Sequence, residues 1–387
     1  MGARLSPLGF RLLGSVGTEV STLGFTVTPV ARRVGPETRE KLLRDPGFGR
    51  LFTEHMVRIA WNRERGWHEA ELRPYGQLQL DPAVSVLHYA QAVFEGLKAF
   101  RQQDGGIAVF RPDAHAARFR SSARRLALPE LPEPVFIEAI DRLLNIDGEW
   151  VPSAPEHSLY LRPFMYASEV GLGVRPSSEV TFILIGSPSG SYFPSGIKPV
   201  TVWLSEDFSR AAPGGTGEAK TGGNYAGGLL AQAQASQQGC DQVVWLDSQE
   251  HRWVEEMGGM NLCFVFGSGT NARLLTPALT GTLLAGVTRD ALLKLATDLG
   301  YQAEEGRIST EEWRAGCADG SLTEVFACGT AAVITPVGAV QSAHGSWKIA
   351  DGKPGEITMR LRQSLVDVQR GVSPDPHGWM HPVPRTV

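Results

Sequence analysis

Midway along the chain a run of helix and strand breakers, Ala211-Ala-Pro-Gly-Gly-Thr-Gly217, is followed closely by Gly222-Gly223. Proline removes a backbone donor and glycine is costly to order, so no regular element passes through such a stretch. It joins two folded units or lines a place where backbone must approach a ligand. At 387 residues the chain is long enough for two domains with separate cores. With 42% hydrophobic and 20% charged residues it is not mainly disordered. A formal net charge of −4 offers no electrostatic footprint for nucleic acid. Apolar runs such as Thr181-Phe-Ile-Leu-Ile185 have strand length, far below the ~20 residues of a membrane span.

The cysteines, Cys240, Cys263, Cys317 and Cys328, form neither a dense disulfide framework nor a paired zinc pattern. Reduced thiols in a cytoplasmic enzyme are expected. His377 and His381 stand four apart in a Pro-rich stretch with no cluster of carboxylates or cysteines beside them, so no metal site is expected. Residues 1–22 carry Arg4 and Arg11, but their apolar patch is broken by Pro7 and glycines. They are expected to be a flexible extension rather than a targeting peptide.

The remainder reads as alternating helices and strands, a mixed α/β (α+β) chain. His55–Trp61 alternates like a half-buried strand, and Asp104-Gly105-Gly106 marks a hairpin between apolar runs. Helices are expected over Pro112–Leu126, Pro134–Asn145, Ala226–Gln238, from Val287, and over Pro354–Arg370. The expected division is a smaller domain over 23–190, a linker over 191–217 and a larger domain over 218–387.

One lysine lies among the central glycines, in Glu218-Ala-Lys-Thr-Gly-Gly-Asn-Tyr225. Two chemistries suit it. A phosphate loop nearly fits Gly214 to Thr221, but Ala219 replaces the second glycine, and Gly222-Gly223 weaken the helix that should follow. The alternative is a Schiff-base lysine for pyridoxal 5'-phosphate. That cofactor also needs partners for its ring nitrogen, phenolate oxygen and phosphate, and a site for the substrate carboxylate.

Several blocks carry a resemblance in the right order. They are Phe48-Gly-Arg-Leu-Phe-Thr-Glu-His-Met56, His88 through Phe100 with Phe94-Glu-Gly-Leu-Lys98, Ser158-Leu-Tyr-Leu-Arg-Pro163, the Lys220 block, Val254-Glu-Glu-Met-Gly-Gly-Met-Asn261, Leu284-Ala-Gly-Val-Thr-Arg289 and Glu324-Val-Phe-Ala-Cys-Gly-Thr-Ala331. From about residue 23 onward the chain resembles the branched-chain amino-acid aminotransferases, fold-type IV enzymes dependent on pyridoxal phosphate. The resemblance implies a ping-pong exchange of amino groups between Leu, Ile or Val and 2-oxoglutarate, and a homodimer. A D-amino-acid transaminase or an aminodeoxychorismate lyase of the same fold is the alternative.

The resemblance also assigns roles. Lys220 would form the Schiff base and move the proton, Glu256 would face the pyridine nitrogen and Tyr225 the phenolate oxygen. Val287 and Thr288 amides, Thr330 and Arg118 would hold the phosphate, with Leu284 against the ring. Elementary physics agrees on the amides, because a helix N-terminus favours an anion. Glu255 should face away from Glu256, since strand side chains alternate. Tyr160 and the amides near Thr330-Ala331 would take the α-carboxylate. Phe48, Tyr89, Phe94 and Tyr192 would cage an apolar side chain, and Arg162 would meet the distal carboxylate of glutamate. Tyr89 is the expected cross-subunit contact, while Arg120, Arg124 and Arg125 read as solvated helix charges. Ala332 and Thr335 replace the CxxC pair of some eukaryotic members, and Gly259 replaces their threonine.

Overall fold

A computed structural model describes residues 23–191 and 196–384. The expected 1–22 extension and Tyr192 lie outside the described residues. The described residues build two nine-stranded sheets. Across the first, the order is Thr26–Val27, Gly66–Pro74, His55–Asn62, Glu179–Ser189, Ser158–Ala167, Leu97–Arg101, Ile107–Phe110 and Met380–Pro382. Ala92–Phe94 pairs with Ser158–Ala167 beside this path. Helices Pro112–Arg125 and Glu133–Asp147 cover one face. In the second helix, Val135, Phe136, Ala139, Ile140, Leu143 and Leu144 recur at helical spacing and are buried. Phe119, Phe136 and Phe182 meet at the centre of this core.

In the second sheet, Val254–Met257 pairs with both Gln242–Leu246 and Met260–Phe266. Those pairings close a ring that also contains Val200–Ser205, Val333–Ser342 and Leu322–Gly329, leaving no free edge among these six strands. Both faces are buried, and the period of two sorts the side chains. Leu262 and Phe264 join one core cluster, whereas Cys263 and Val265 join another beneath helices Val287–Asp298 and Glu356–Gln369.

Three expectations need correction. The strand expected at Pro199–Leu204 forms as Val200–Ser205, but it belongs to the second sheet and not to a 191–217 linker, because Val202 and Leu204 are buried in that sheet's core. The chain's end does not stay with the second sheet, since Met380–Pro382 pairs with Ile107–Phe110 of the first. Ala226–Gln238 is not continuous. It divides into Gly222–Ala226 and Leu229–Gln237 at a glycine pair, and a Cβ on Gly228 would fall 2.9 Å from the Trp245 ring. The hairpin around Asp104-Gly105-Gly106 and the helix start at Val287 form where expected.

The helix Glu356–Gln369 packs against Val287–Asp298, and its own beginning is held from a distance. Its N-cap is Gly355, which has no side chain to cap with. Instead the buried Glu324 accepts from the Ile357 and Thr358 amides at 3.0 and 2.7 Å and from the Thr358 hydroxyl at 2.7 Å. Removing the carboxylate would orphan two helix-start donors. Glu324→Ala is therefore expected to cost roughly 2–3 kcal/mol of stability. Urea unfolding measures this, and an unchanged midpoint would refute it.

Candidate active site

Lys220 lies in the connection between two strands of the second sheet, Val200–Ser205 and Gln242–Leu246, yet its backbone is tied to elements of the first. Its N–H donates to Ser122 Oγ on the Pro112–Arg125 helix at 2.9 Å, and its carbonyl accepts from the Phe94 amide at 3.0 Å. Thr221 Oγ1 donates to the Ala92 carbonyl at 2.8 Å. With the backbone fixed, the side chain enters a cavity of about 280 Å³ lined by both sheets. A roomier hollow, about 1130 Å³, opens around Arg101, Leu144 and Met380, and none of the expected site residues lines it. Convergence of functional groups, rather than volume, marks the site.

Lys220 Nζ donates to Tyr225 Oη at 2.8 Å and lies 4.8 Å from the centre of the Phe94 ring. Desolvation, with Arg118 as a nearby like charge, lowers the amine to about 8. Burial beside Glu256 pushes the Tyr225 phenol up to about 12, so it keeps its proton at neutral pH. Gly259 leaves room for that ring, because a Cβ there would sit 3.1 Å from Tyr225 Cε1.

Glu256 is 2% exposed on the short strand Val254–Met257. Its Oε1 accepts from the Leu284 amide at 2.9 Å and from Asn261 Nδ2 at 3.0 Å, and Oε2 pairs with Arg210 Nε at 2.8 Å. Burial pushes this carboxyl up, against the pull of Arg210 and the Leu284 amide. Glu256 and Arg210 line an adjoining cavity of about 170 Å³, which shares Tyr225, Gly259 and Leu284 with the first. The alternation holds for Glu255. It is buried too, but its partner is the Thr282 hydroxyl, in a different cavity.

At one end of the main cavity the helix Val287–Asp298 begins. Its first hydrogen bond runs from the Asp290 amide to the Gly286 carbonyl, leaving the Val287 and Thr288 amides without helical partners. Gly286 is required by a close approach, since a Cβ there would fall 2.0 Å from Asn261 Oδ1. Arg118 reaches the same end, donating through Nη1 to the Ala285 carbonyl at 2.9 Å and pairing with Glu95 through Nε and Nη2. Leu284, Thr330 and Ala331 also line the wall.

The opposite wall is aromatic. Arg162 lies 4.8 Å from the Phe94 ring centre and donates to Tyr160 Oη at 3.1 Å, leaving the tyrosine proton available. Phe48 meets Tyr160 edge-on at 5.1 Å. A Cβ on Gly96 would overlap the Tyr160 hydroxyl at 1.8 Å, which explains that glycine. Lys98 joins the two walls, donating to the Ala331 carbonyl at 2.7 Å.

The structure thus brings together Lys220, Tyr225, Arg118, Leu284, Val287, Thr288, Thr330, Ala331, Phe48, Phe94, Tyr160 and Arg162, with Glu256 next door. Tyr89 does not line this cavity; its hydroxyl donates to the Leu172 carbonyl at 2.5 Å in a half-exposed position. Arg120 and Arg124 pair with Glu130, as surface charges do. Arg125 departs from expectation, because it donates to the Gly214 and Gly215 carbonyls and so pins the glycine-rich loop. Cys328 is buried beside Cys263, and all four cysteines are free thiols. His377 pairs with Asp298 and His381 with Asp141, and no metal-holding cluster occurs among the described residues. Sequence reasoning gave no role to Glu95, Arg210 or Asn261. Glu95 and Asn261 stood inside the quoted blocks, and Arg210 beside the breaker run, but only the fold shows what they touch.

The sequence profile of amino-transferase class IV matches residues 92–340. A branched-chain-amino-acid aminotransferase of Mycolicibacterium smegmatis is 60% identical over 359 residues, 92% of this chain and 98% of the relative. A probable branched-chain-amino-acid aminotransferase of Streptomyces coelicolor is 58% identical over 363 residues, 94% and 99% of the two chains. Among solved structures, the Escherichia coli branched-chain amino acid aminotransferase superposes with a TM-score of 0.70 at 28% identity, covering 86% of this chain and all of that one. The branched-chain amino acid aminotransferase from Thermobaculum terrenum, solved in its PLP form, shares the fold with a TM-score of 0.69 at 23% identity, over 86% of this chain and 99% of that one. The overlap spans the Lys220 loop, the strand bearing Glu256 and the helix start at Val287, and on that ground the chain belongs to the class IV, fold-type IV aminotransferases, among the branched-chain amino-acid aminotransferases.

Proposed function

We propose that this chain transfers the amino group between L-leucine, L-isoleucine or L-valine and 2-oxoglutarate, with pyridoxal 5'-phosphate held on Lys220. The observation that carries the reading is one desolvated amine, 2.8 Å from a phenol, between an anion-ready helix start and an arginine stacked on aromatic rings. The residues fit the cofactor: unpartnered amides and Arg118 suit a phosphate, the Gly286 cradle admits no side chain, and a buried carboxylate stands near. When bound, the cofactor supplies an electron sink for the pair released as the substrate Cα–H breaks.

The chain's own groups do the rest. Lys220 Nζ, when not holding the cofactor, would take the proton from the substrate Cα as a general base and deliver it to the carbon that came from the cofactor's aldehyde. Its lowered basicity keeps an appreciable fraction uncharged near neutral pH. Glu256 holds negative charge against the ring nitrogen, with Arg210 and the Leu284 amide sustaining the ionised form. Tyr225 keeps a proton to offer the phenolate oxygen. Tyr160 and the Thr330-Ala331 turn orient the α-carboxylate. Phe48 and Phe94 enclose an apolar side chain, and Arg162 meets the distal carboxylate when glutamate occupies the same space.

We also read the chain as a homodimer in a reducing, cytoplasmic setting. Among the described residues no helix is long and apolar enough to cross a membrane, and all four thiols are free. Leu87, Val170, Leu172 and Val174 are 58–83% exposed on neighbouring segments joined by the Val84–Val170 bridge and the Tyr89–Leu172 hydrogen bond. We read this exposed apolar patch as the association surface, and Tyr89 at its margin as the cross-subunit contact. Sedimentation should give about twice the 41.9 kDa chain mass, and Leu172→Lys should release monomer. A monomeric parent would end this reading.

Lys220→Ala should abolish both L-leucine transamination and covalent cofactor attachment while leaving the circular dichroism spectrum intact; retained turnover in the variant, or activity of the unmutated enzyme on D-alanine alone, would refute the assignment. Glu256→Gln should slow single-turnover proton removal far more than it weakens cofactor retention, and an unchanged rate would strip Glu256 of its role. Attachment of the aldehyde needs the uncharged amine, so its rate on apo protein should climb with pH through a midpoint near 8. A midpoint near the ordinary lysine value of about 10.4 would show that burial does not tune this amine.

A further inference from the structure

Glu95 is fully enclosed, with 0% exposure, and the chemistry above gives it no task. It follows the strand Ala92–Phe94 and faces the helix Pro112–Arg125. Its Oε1 accepts from Arg118 Nε at 2.7 Å and its Oε2 from Arg118 Nη2 at 2.8 Å, a side-on fork. Oε2 also meets His115 Nδ1 at 2.7 Å and the Gly96 amide at 3.1 Å. Burial alone would raise this carboxyl, but Arg118 and His115 outweigh it and hold it well below the usual carboxylate range. Burial lowers the His115 imidazole, so it stays neutral. With Glu95 accepting, its proton sits on Nδ1. The cluster is therefore one anion and one cation with a neutral donor wedged against them.

That arrangement fixes Arg118 without exhausting it. A guanidinium has five N–H donors. Two go to Glu95 and one to the Ala285 carbonyl, and His115 Nδ1, 3.4 Å from Nη2, cannot accept while it carries the proton, so two remain for a guest in the cavity that Arg118 shares with Gly286, Val287 and Thr288. A long side chain on a helix otherwise loses much rotamer freedom on meeting an anion. Here that freedom is already gone. The residues flanking Glu95 are equally committed, Phe94 to the Lys220 carbonyl and Gly96 to the space of the Tyr160 hydroxyl.

We propose that Glu95 is a positioning residue that presents Arg118 to the phosphate of the cofactor, with His115 locking the carboxylate from behind. This rests on the reading of Arg118 as a phosphate ligand, and the experiment separates the two. Apo forms of the full chain, wild type and Glu95→Gln, Arg118→Ala and the double variant, are titrated with pyridoxal phosphate and with pyridoxal, which lacks the phosphate. Glu95→Gln should weaken pyridoxal phosphate retention on the order of 10- to 100-fold, the range for loss of an orienting outer partner, and leave pyridoxal unchanged. In the Arg118→Ala background it should add nothing.

Equal weakening for both ligands would make Glu95 merely structural and overturn the proposal, as would full additivity or wild-type retention in Glu95→Gln. If Arg118→Ala itself retains pyridoxal phosphate normally, the reading of Arg118 falls and the proposal with it. Should Glu95→Gln fail to fold, Arg118→Lys carries the test, because it keeps the charge but cannot make the fork. It should show the same phosphate-selective loss, and unaltered discrimination between the two aldehydes would overturn the proposal.

Discussion

A lysine amine serves a reaction centre only if its backbone is held while its tip stays free. Here the holding is done by the first sheet and its helix, although Lys220 precedes the first helix of the glycine-rich segment. Ser122 and Phe94 take both backbone groups of Lys220, and Thr221 is tied to Ala92. Those bonds decide which cavity the side chain enters, and therefore its desolvation and its distance from Tyr225. The same strand then turns through Glu95 and Gly96, so the placement of Arg118 and of Tyr160 is set within two residues of the bond that places the lysine.

Charge is graded along the cavity. The Val287 helix start and Arg118 make one end electropositive, while Glu256 supplies negative charge beside Tyr225. The two carboxylates that matter, Glu95 and Glu256, are both buried, yet burial acts on them with opposite outcomes. Glu95 has a bidentate arginine and is held low, whereas Glu256 has a single Arg210 contact and two neutral donors and is pushed up. Partner geometry, rather than depth, sets the difference.

Much of this was legible in the sequence for local reasons. The Asp104-Gly105-Gly106 hairpin, the helix opened by Pro112 and the helix after Gly286 depend on nearby residues, and the motif blocks located Lys220, Tyr225 and the phosphate helix. The failures are non-local. Arg210 and Glu256 meet only because the ring of strands brings the breaker-rich loop over Val254–Met257, and no periodicity announces that. The strand at Val200–Ser205 was legible from its alternation, but its sheet was not, because it borders the breaker run while Val202 and Leu204 belong to the second core. The Ala226–Gln238 helix failed because helical composition continued through two glycines, one of which the Trp245 ring requires to be small. Composition and spacing did not single out Arg118 among four helix arginines; the family resemblance did, and only the fold shows that Glu95 holds it.

The return of Met380–Pro382 to the first sheet has a consequence for how the molecule is made. The strand Ile107–Phe110 is synthesised long before Met380–Pro382, so its outer row of peptide groups waits for that partner. Until then it is a vacant edge of the kind that recruits stray strands from other nascent chains. Loss of Met380–Pro382 would make that vulnerability permanent, in a sheet whose remaining strands are all synthesised long before it.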